Sequence, residues 1–134
     1  MTEKILYKEL SYKVYGLCFE TQNELGRFRS EKTYADYLDK LLKRDKIDFC
    51  REKCVGSFAE EISNRRNRPD FIVNKQIIVD LKAKDIVTKE DYLQMKRYLT
   101  ASDIRLGLII NFRQKHIYPK RVLNPHNQPV TQIR

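Results

Sequence analysis

Apolar residues recur every three or four positions in three stretches of the chain, and this period predicts three helices. The first helix is expected over residues 8–25, where Gly26 ends it. The second is expected over residues 31–45 with Ser30 as its N-cap, and the third over residues 88–100, opening on a capping box. The positions that define the first two helices are Leu10, Val14, Leu17, Cys18, Thr21 and Leu25, followed by Tyr34, Ala35, Leu38, Leu41 and Leu42.

Short runs of aliphatic and β-branched residues predict the strands. Residues 70–73 and 77–84 are two such runs on either side of a polar break, which is typical of a β-hairpin. The continuous apolar run over residues 106–112 predicts an interior strand covered on both faces. Residues 116–123 predict a final strand, and residues 53–58 a strand that pairs with the hairpin.

The predicted order is α-α-β-β-β-α-β-β, which indicates an α/β fold with a mixed central sheet flanked by helices. A chain of 134 residues is long enough for one hydrophobic core but not for two. We therefore expect a single domain over residues 1–123. Residues 124–134 contain two prolines and no apolar period, and we expect them to form a flexible C-terminal tail.

Net charge, apolar run length and cysteine count together indicate what kind of partner and cellular location to expect. The chain has 27 Lys and Arg against 18 Asp and Glu, a net charge of +9, which favours a polyanionic partner such as nucleic acid. No apolar run approaches the roughly 20 residues that span a bilayer, and the N-terminus has no signal-peptide core. Three cysteines (Cys18, Cys50 and Cys54) do not make a disulfide framework. We expect a soluble, cytoplasmic protein without a membrane partner.

The hairpin carries the chemistry that the sequence indicates most clearly. Alternation places Asp80, Lys82 and Lys84 on one face of its second strand, opposite the face with Ile77, Val79, Leu81 and Ala83. If the turn spans residues 74–76, Asp70 lies opposite Asp80, with Cβ atoms about 4.5–5.5 Å apart. A two-residue turn would instead pair Asp70 with Val79.

Two carboxylates at that separation repel unless a cation lies between them. A divalent metal would meet this need, and the ammonium of Lys82 would add a second positive group. The alternative is a hairpin edge with ordinary surface charges.

Three further features have both a functional and a structural interpretation. Glu31 falls at the centre of the apolar stripe of the second helix, so it is either a ligand that reaches into a site or a first-turn glutamate favoured by the helix dipole. The basic cluster at residues 65–68, which contains Arg65, Arg66 and Arg68, is either a phosphate clamp or a solvated loop. Gln94 and Tyr98 are four residues apart and share one side of the third helix.

These residues resemble the PD-(D/E)xK nuclease superfamily. Pro69-Asp70, ten residues and then Asp80-Leu81-Lys82 fit its signature, and Gln94-x-x-x-Tyr98 is similar to the Q-x-x-x-Y element of RecB-type members. The closer resemblance is to the GxxExxY proteins, whose pattern is matched by residues 24–26, 31–34, 70–73, 78–83, 94–99 and 106–112. Two positions depart from it, because Phe28 stands at the first glycine and Asp80 at the more usual glutamate.

The resemblance implies a restriction-endonuclease-like core and metal-dependent hydrolysis of phosphodiester bonds, with DNA as the expected substrate. It implies Mg²⁺ or Mn²⁺ held by Asp70, Asp80, the Leu81 carbonyl and Glu31, the last directly or through water. Lys82 and Gln94 would position the attacking water or the phosphate. The nucleic acid would be held by Arg65, Arg66, Arg68, Lys84 and Tyr98. A non-catalytic nucleic-acid-binding module and a protein-interaction subunit on the same fold remain the alternatives.

Overall fold

The computed structural model describes residues 5–52 and 68–126, and the element order within these residues agrees with the predicted one. Two helices are followed by three strands, a helix and two strands. The helices are α1 (Lys8–Leu25), α2 (Glu31–Arg44) and α3 (Lys89–Ser102). The strands are β1 (Phe49–Arg51), β2 (Phe71–Val73), β3 (Ile77–Lys82), β4 (Leu106–Asn111) and β5 (Lys120–Leu123).

The helix ends follow the capping residues in the sequence. Gly26 ends α1 at φ 82°, a left-handed conformation that glycine adopts without strain from a Cβ. Ser30 begins α2, and its side chain accepts a hydrogen bond from the backbone N–H of Thr33. Thr88 and Asp91 form the predicted capping box of α3. Local sequence alone therefore located these boundaries.

The strands form one mixed sheet in the order β1-β2-β3-β4-β5. Only β3 and β4 are parallel, and the other neighbouring pairs are antiparallel. In the hairpin Val73 pairs with Ile77 and Phe71 with Val79, so the turn spans residues 74–76. Of the two predicted registers, the structure has the one that brings Asp70 towards Asp80.

Helices cover both faces of the sheet. On one face α1 and α2 pack over Val73, Ile77, Val79 and Leu81. On the other face α3 packs over Ile72, Ile78 and Ile109, with Met95 and Leu99 in contact with the sheet. Because side chains alternate along a strand, Asp80 and Lys82 lie on the α3 face, in line with Ile78. All six residues of β4 are buried, as predicted for an interior strand.

One strand boundary differs from its prediction, and another predicted strand is not tested. Strand β5 begins at Lys120 rather than at residue 116, because Pro119 has no N–H to donate to a strand ladder. The strand expected over residues 53–58 lies outside the described residues, and β1, just before it, is the antiparallel neighbour of β2. Asn124, the first residue of the expected tail, is only 2% exposed.

A side-chain network holds Asn124 in place. Its Nδ2 donates to the carbonyls of Leu99 and Ile104 at 2.8 and 2.9 Å, so it ties the end of β5 to the end of α3. Residues 127–134 of the expected tail are outside the described residues. Among the helices described, none has the length and apolar character needed to cross a membrane.

Candidate active site

The predicted site residues of the hairpin, Asp70, Asp80 and Lys82, lie at the edge of the sheet that is formed by the C-terminal ends of β3 and β4. Strands β3 and β4 are parallel, so both end at this edge, where Lys82 pairs with Asn111. Asp70 comes directly before β2, which runs antiparallel to β3, so it reaches the same edge from the opposite direction. The N-terminus of α2, with Glu31, also lies here, since the charge of Glu31 acts on both Asp70 and Lys82.

Asp70 is the most perturbed carboxyl group of this site. Burial, followed by the neighbouring charge of Asp80, raises its pKa to about 8, and Glu31 adds a smaller effect in the same direction. The backbone N–H of Leu81 donates to its Oδ2 at 2.7 Å and partly offsets the shift. Without a bound cation, Asp70 therefore retains its proton at neutral pH.

Lys82 lies against the second carboxylate. Its Nζ is 2.9 Å from Asp80 Oδ2 and 3.7 Å from Asp91 Oδ1, and it donates to Gln94 Oε1 at 3.4 Å. Burial alone would lower the pKa of Lys82, but the charges of Asp80, Asp91 and Glu31 outweigh it and raise the pKa. Lys82 is therefore a permanent cation here and not a proton acceptor.

Asp91 is a member of this charge cluster that the sequence analysis assigned only to helix capping. Its Oδ2 accepts the backbone N–H of Thr88 at 2.7 Å and lies 2.5 Å from Lys84 Nζ. Burial would raise its pKa, but Lys84, the Thr88 N–H and Lys82 lower it. The capping box could be read from the sequence. The contacts of Asp91 with Lys82 and Lys84 depend on how α3 packs against the sheet.

Lys84, predicted to contact nucleic acid, thus has its ammonium paired with Asp91, and 38% of its side chain is exposed. Asn111 is a second residue that the sequence analysis missed. Its Nδ2 donates to the Lys84 carbonyl at 2.7 Å, and its Oδ1 accepts the Lys84 N–H at 3.2 Å. These two bonds hold the chain after β3 against the end of β4.

The Leu81 carbonyl points towards the Asp70 side of β3. The Lys82 carbonyl accepts the Phe112 N–H on the β4 side at 2.9 Å. Because carbonyls of successive strand residues point in opposite directions, that of Leu81 faces the β2 side, where its own N–H meets Asp70. The strand geometry therefore directs two carboxylates and one carbonyl oxygen into the same region.

The charge of Glu31 contributes to the raised pKa of Asp70, but the Glu31 side chain is exposed at the start of α2. Within residues 5–52 and 68–126, no three Asp, Glu, His or Cys side chains are close enough together to hold a metal ion. Both predicted interpretations of Glu31 are compatible with its position, since it is also the first residue of the helix.

Tyr98 is on the predicted side of α3 but is only 2% exposed, and its ring packs in the core beneath the site. Burial, followed by the charges of Asp80 and Asp70, raises the pKa of its hydroxyl, so this group lies within electrostatic range of the two carboxylates. Such a buried ring has no face on which a base could stack. Gln94, by contrast, is half-buried and reaches Lys82.

The basic cluster is described only in part. Arg65 and Arg66 lie outside the described residues, and Arg68 is half-buried directly before the buried Pro69. Cys50 of β1 is disulfide-bonded, which the cysteine count did not predict. Cys18 is a free, fully buried thiol in the core. Burial raises its pKa to about 12, so it is an inert packing group.

The fold and this cluster together define an α/β protein with a restriction-endonuclease-like core. The family profile of the PD-(D/E)XK nuclease superfamily matches residues 8–122, and the chain belongs to this superfamily. The predicted superfamily is thus confirmed, while the GxxExxY and RecB-type features stay predictions. No curated protein and no solved structure matches the chain.

Proposed function

We propose that this protein is a nuclease that hydrolyses phosphodiester bonds of DNA with Mg²⁺ or Mn²⁺ as its cofactor. The observation that carries the proposal is the cluster at the end of β3. Asp70 and Asp80 are close enough for one charge to raise the pKa of the other, and Lys82 Nζ lies 2.9 Å from Asp80. Membership of a nuclease superfamily supports the same activity.

The donor set fits a hard divalent cation. Asp70, Asp80 and the Leu81 carbonyl offer only oxygen, and they leave positions for water, as Mg²⁺ prefers. Burial and then the charge of Asp80 raise the pKa of Asp70, which supports a site where a cation would favour the charged carboxylate. A divalent ion would replace the proton on Asp70 and bring this carboxyl group to its charged state.

The chain's own residues would orient the reaction. A bound metal ion would lower the pKa of a water molecule and offset the charge that develops on the phosphate. Lys82 would hold the attacking water or a phosphate oxygen as a hydrogen-bond donor, because its raised pKa keeps it protonated. Gln94, which accepts from Lys82 at 3.4 Å, would fix the direction of that ammonium group.

The other predicted residues have supporting roles in this proposal. Glu31 would act through a water molecule from the start of α2. Arg65, Arg66 and Arg68 would bind flanking phosphates, and Lys84 would do so by exchanging its contact with Asp91. Tyr98 would support the carboxylates from below through its hydroxyl, because its ring is buried. These assignments are proposals for mutagenesis.

The test is cleavage of linear, circular and single-stranded DNA and RNA with Mg²⁺, Mn²⁺ or EDTA. We expect metal-dependent cutting by the wild type and none by Asp80→Asn. Asp48→Asn is a charge-matched control, because Asp48 is exposed at the opposite, turn end of the hairpin, where its carbonyl accepts the Asn74 N–H. An Asp80→Asn protein as active as the control would overturn the proposal.

The same panel separates the alternatives. Salt-sensitive binding without cutting under any metal would favour a non-catalytic nucleic-acid-binding module. Absence of binding even at low salt would favour a protein-interaction subunit. Cutting of circular DNA would identify an endonuclease, and restriction of cutting to linear substrates would identify an exonuclease.

A further inference from the structure

The loop between α1 and α2 presents an aromatic ring to solvent beside the candidate active site. Phe28 is 74% exposed, the largest exposed fraction among the large hydrophobic residues that the structure describes. It precedes Glu31 by three residues, so their Cα atoms are at most about 11 Å apart. The ring therefore lies near the mouth of the site and contributes little to the core.

Two arginines flank this ring. The guanidinium of Arg27 lies 5.1 Å from the Phe28 ring centre, and that of Arg113, from the loop after β4, lies 5.4 Å from it. The arginines also bind each other's backbone. Arg27 Nε donates to the Arg113 carbonyl at 2.9 Å, and Arg113 Nε donates to the Arg27 carbonyl at 3.0 Å. Each guanidinium has four further N–H donors for other partners.

The loop that carries the ring is held rigidly. Tyr34 Oη donates to the Gly26 carbonyl at 2.6 Å and accepts the Arg29 N–H at 3.2 Å. The Tyr34 ring stacks on Phe112 with centroids 4.2 Å apart. An exposed ring fixed in this way loses little conformational freedom when it binds a partner.

The second arginine connects this group to the end of the sheet. The Arg113 N–H donates to Asn111 Oδ1 at 3.2 Å, and Asn111 pairs with Lys82 across the β3–β4 ladder. Gln22 of α1 further holds the loop by donating to the Phe112 and Gln114 carbonyls at 2.9 and 2.8 Å. Hydrogen bonds and strand pairing therefore connect the loop that carries Phe28 to the end of β3 that carries Lys82.

We infer that Phe28, Arg27 and Arg113 form a platform for an unpaired base of single-stranded DNA. The exposed aromatic face offers stacking, and the two guanidinium groups offer hydrogen bonds and charge to the adjoining phosphates. Fully paired duplex hides the faces of its bases and can use only the arginines. The platform therefore selects strands that are unpaired next to the bond to be cut.

This inference rests on the proposed nuclease function for the position of the scissile bond, but its test does not need catalysis. The chain contains no tryptophan, so Phe28→Trp places a single fluorescent indole at the platform. The experiment uses the full chain with Asp80→Asn and EDTA. It compares a single-stranded oligonucleotide with a blunt duplex of two fully complementary strands of the same length and follows anisotropy and indole emission.

We expect the single strand to quench the indole and the blunt duplex to leave its emission nearly unchanged. In the same Asp80→Asn background, Phe28→Ala and Phe28→Leu should weaken single-strand binding about tenfold and duplex binding less than about twofold. Phe19→Ala is the control, because Phe19 is an exposed aromatic residue on α1, 44% accessible. Thermal unfolding of each variant shows whether the fold is retained.

Unchanged single-strand affinity in Phe28→Ala, or unchanged indole emission at saturation, would overturn the platform. Equal loss of single-strand and duplex affinity would also overturn it, since that result indicates a general effect on the loop. Failure of the nuclease proposal shows itself separately, as absence of cutting by the wild type with either metal. A wild-type enzyme that cuts while Phe28→Ala binds normally would leave the nuclease function standing without the platform.

Discussion

Asp70→Asn should stabilise the metal-free protein at alkaline pH while it abolishes metal-dependent activity. The amide has nearly the shape of the protonated carboxyl group that the structure favours. Its oxygen can accept the Leu81 N–H, which Asp70 Oδ2 now accepts at 2.7 Å, and its NH₂ can donate to Asp80. The variant therefore keeps the local hydrogen bonds and removes a charge that burial and Asp80 disfavour.

The sign follows from the direction of the shift. The folded protein raises the pKa of Asp70 from 3.8 to about 8, so the folded state binds this proton more tightly than the unfolded chain. This contribution to stability is complete below the unfolded pKa and is lost as the pH rises through about 8. Asparagine does not titrate, so the variant avoids the loss.

The magnitude follows from the same shift. One pKa unit corresponds to about 1.4 kcal/mol, so the three units between about pH 5 and about pH 8 set an upper bound of about 4 kcal/mol. Asp70 is only half-buried, so solvent screening reduces this value. We expect the stability advantage of Asp70→Asn to grow by about 2–4 kcal/mol over this interval.

The assay is urea denaturation of both proteins in EDTA from about pH 5 to about pH 8.5, with Asp48→Asn as the charge-matched control. A titration with Mg²⁺ completes it. At a hundred times its dissociation constant, the ion should stabilise the wild type by about 2.7 kcal/mol and the variant far less. An Asp70→Asn protein that is no more stable than the wild type at about pH 8.5 would refute this account of the carboxylate pair.

Three other substitutions test separate parts of the structure. Lys82→Ala should lower kcat about 10²–10³-fold in the cleavage assay while nucleic-acid affinity stays within about twofold, and a larger loss of affinity would contradict its role as a local positioning group. Gly107→Ala should destabilise by about 1–3 kcal/mol because its new methyl group would meet the buried Met95 side chain. Adding Met95→Ala should then cost less than the sum of the single changes, and additive losses in urea denaturation would contradict the contact. Asn124→Ala should cost about 1–3 kcal/mol by leaving the Leu99 and Ile104 carbonyls without its amide, and an unchanged denaturation midpoint would show that residue 124 belongs to a loose tail after all.

Local patterns predicted the elements well because their causes are local. Ser30 and Thr88 begin helices through side-chain hydrogen bonds to residues three positions away, and Gly26 ends α1 by its own backbone conformation. The alternation along β3 likewise separated Asp80 and Lys82 from the core face. None of these outcomes depends on distant parts of the chain.

Local patterns do not reveal contacts between residues that are distant in the chain. Asn124 looked like the start of a tail because its partners, Leu99 and Ile104, are 25 and 20 residues away. Asp91 looked like a capping residue only, because Lys82 and Lys84 meet it when α3 docks on the sheet. The burial of Tyr98 under the carboxylates has the same origin.

The sequence by itself determined the order of the elements, the face of β3 that carries charge and the identity of the carboxylate pair, since these follow from periods of two and of about 3.6 residues. Only the tertiary structure decided the hairpin register and the position of Asp70 against Leu81. It alone brought Arg113 beside Phe28, although 85 positions separate them in the chain. The physical reason is that hydrogen bonds and charges between distant residues form only after packing has placed their strands and helices at a common edge.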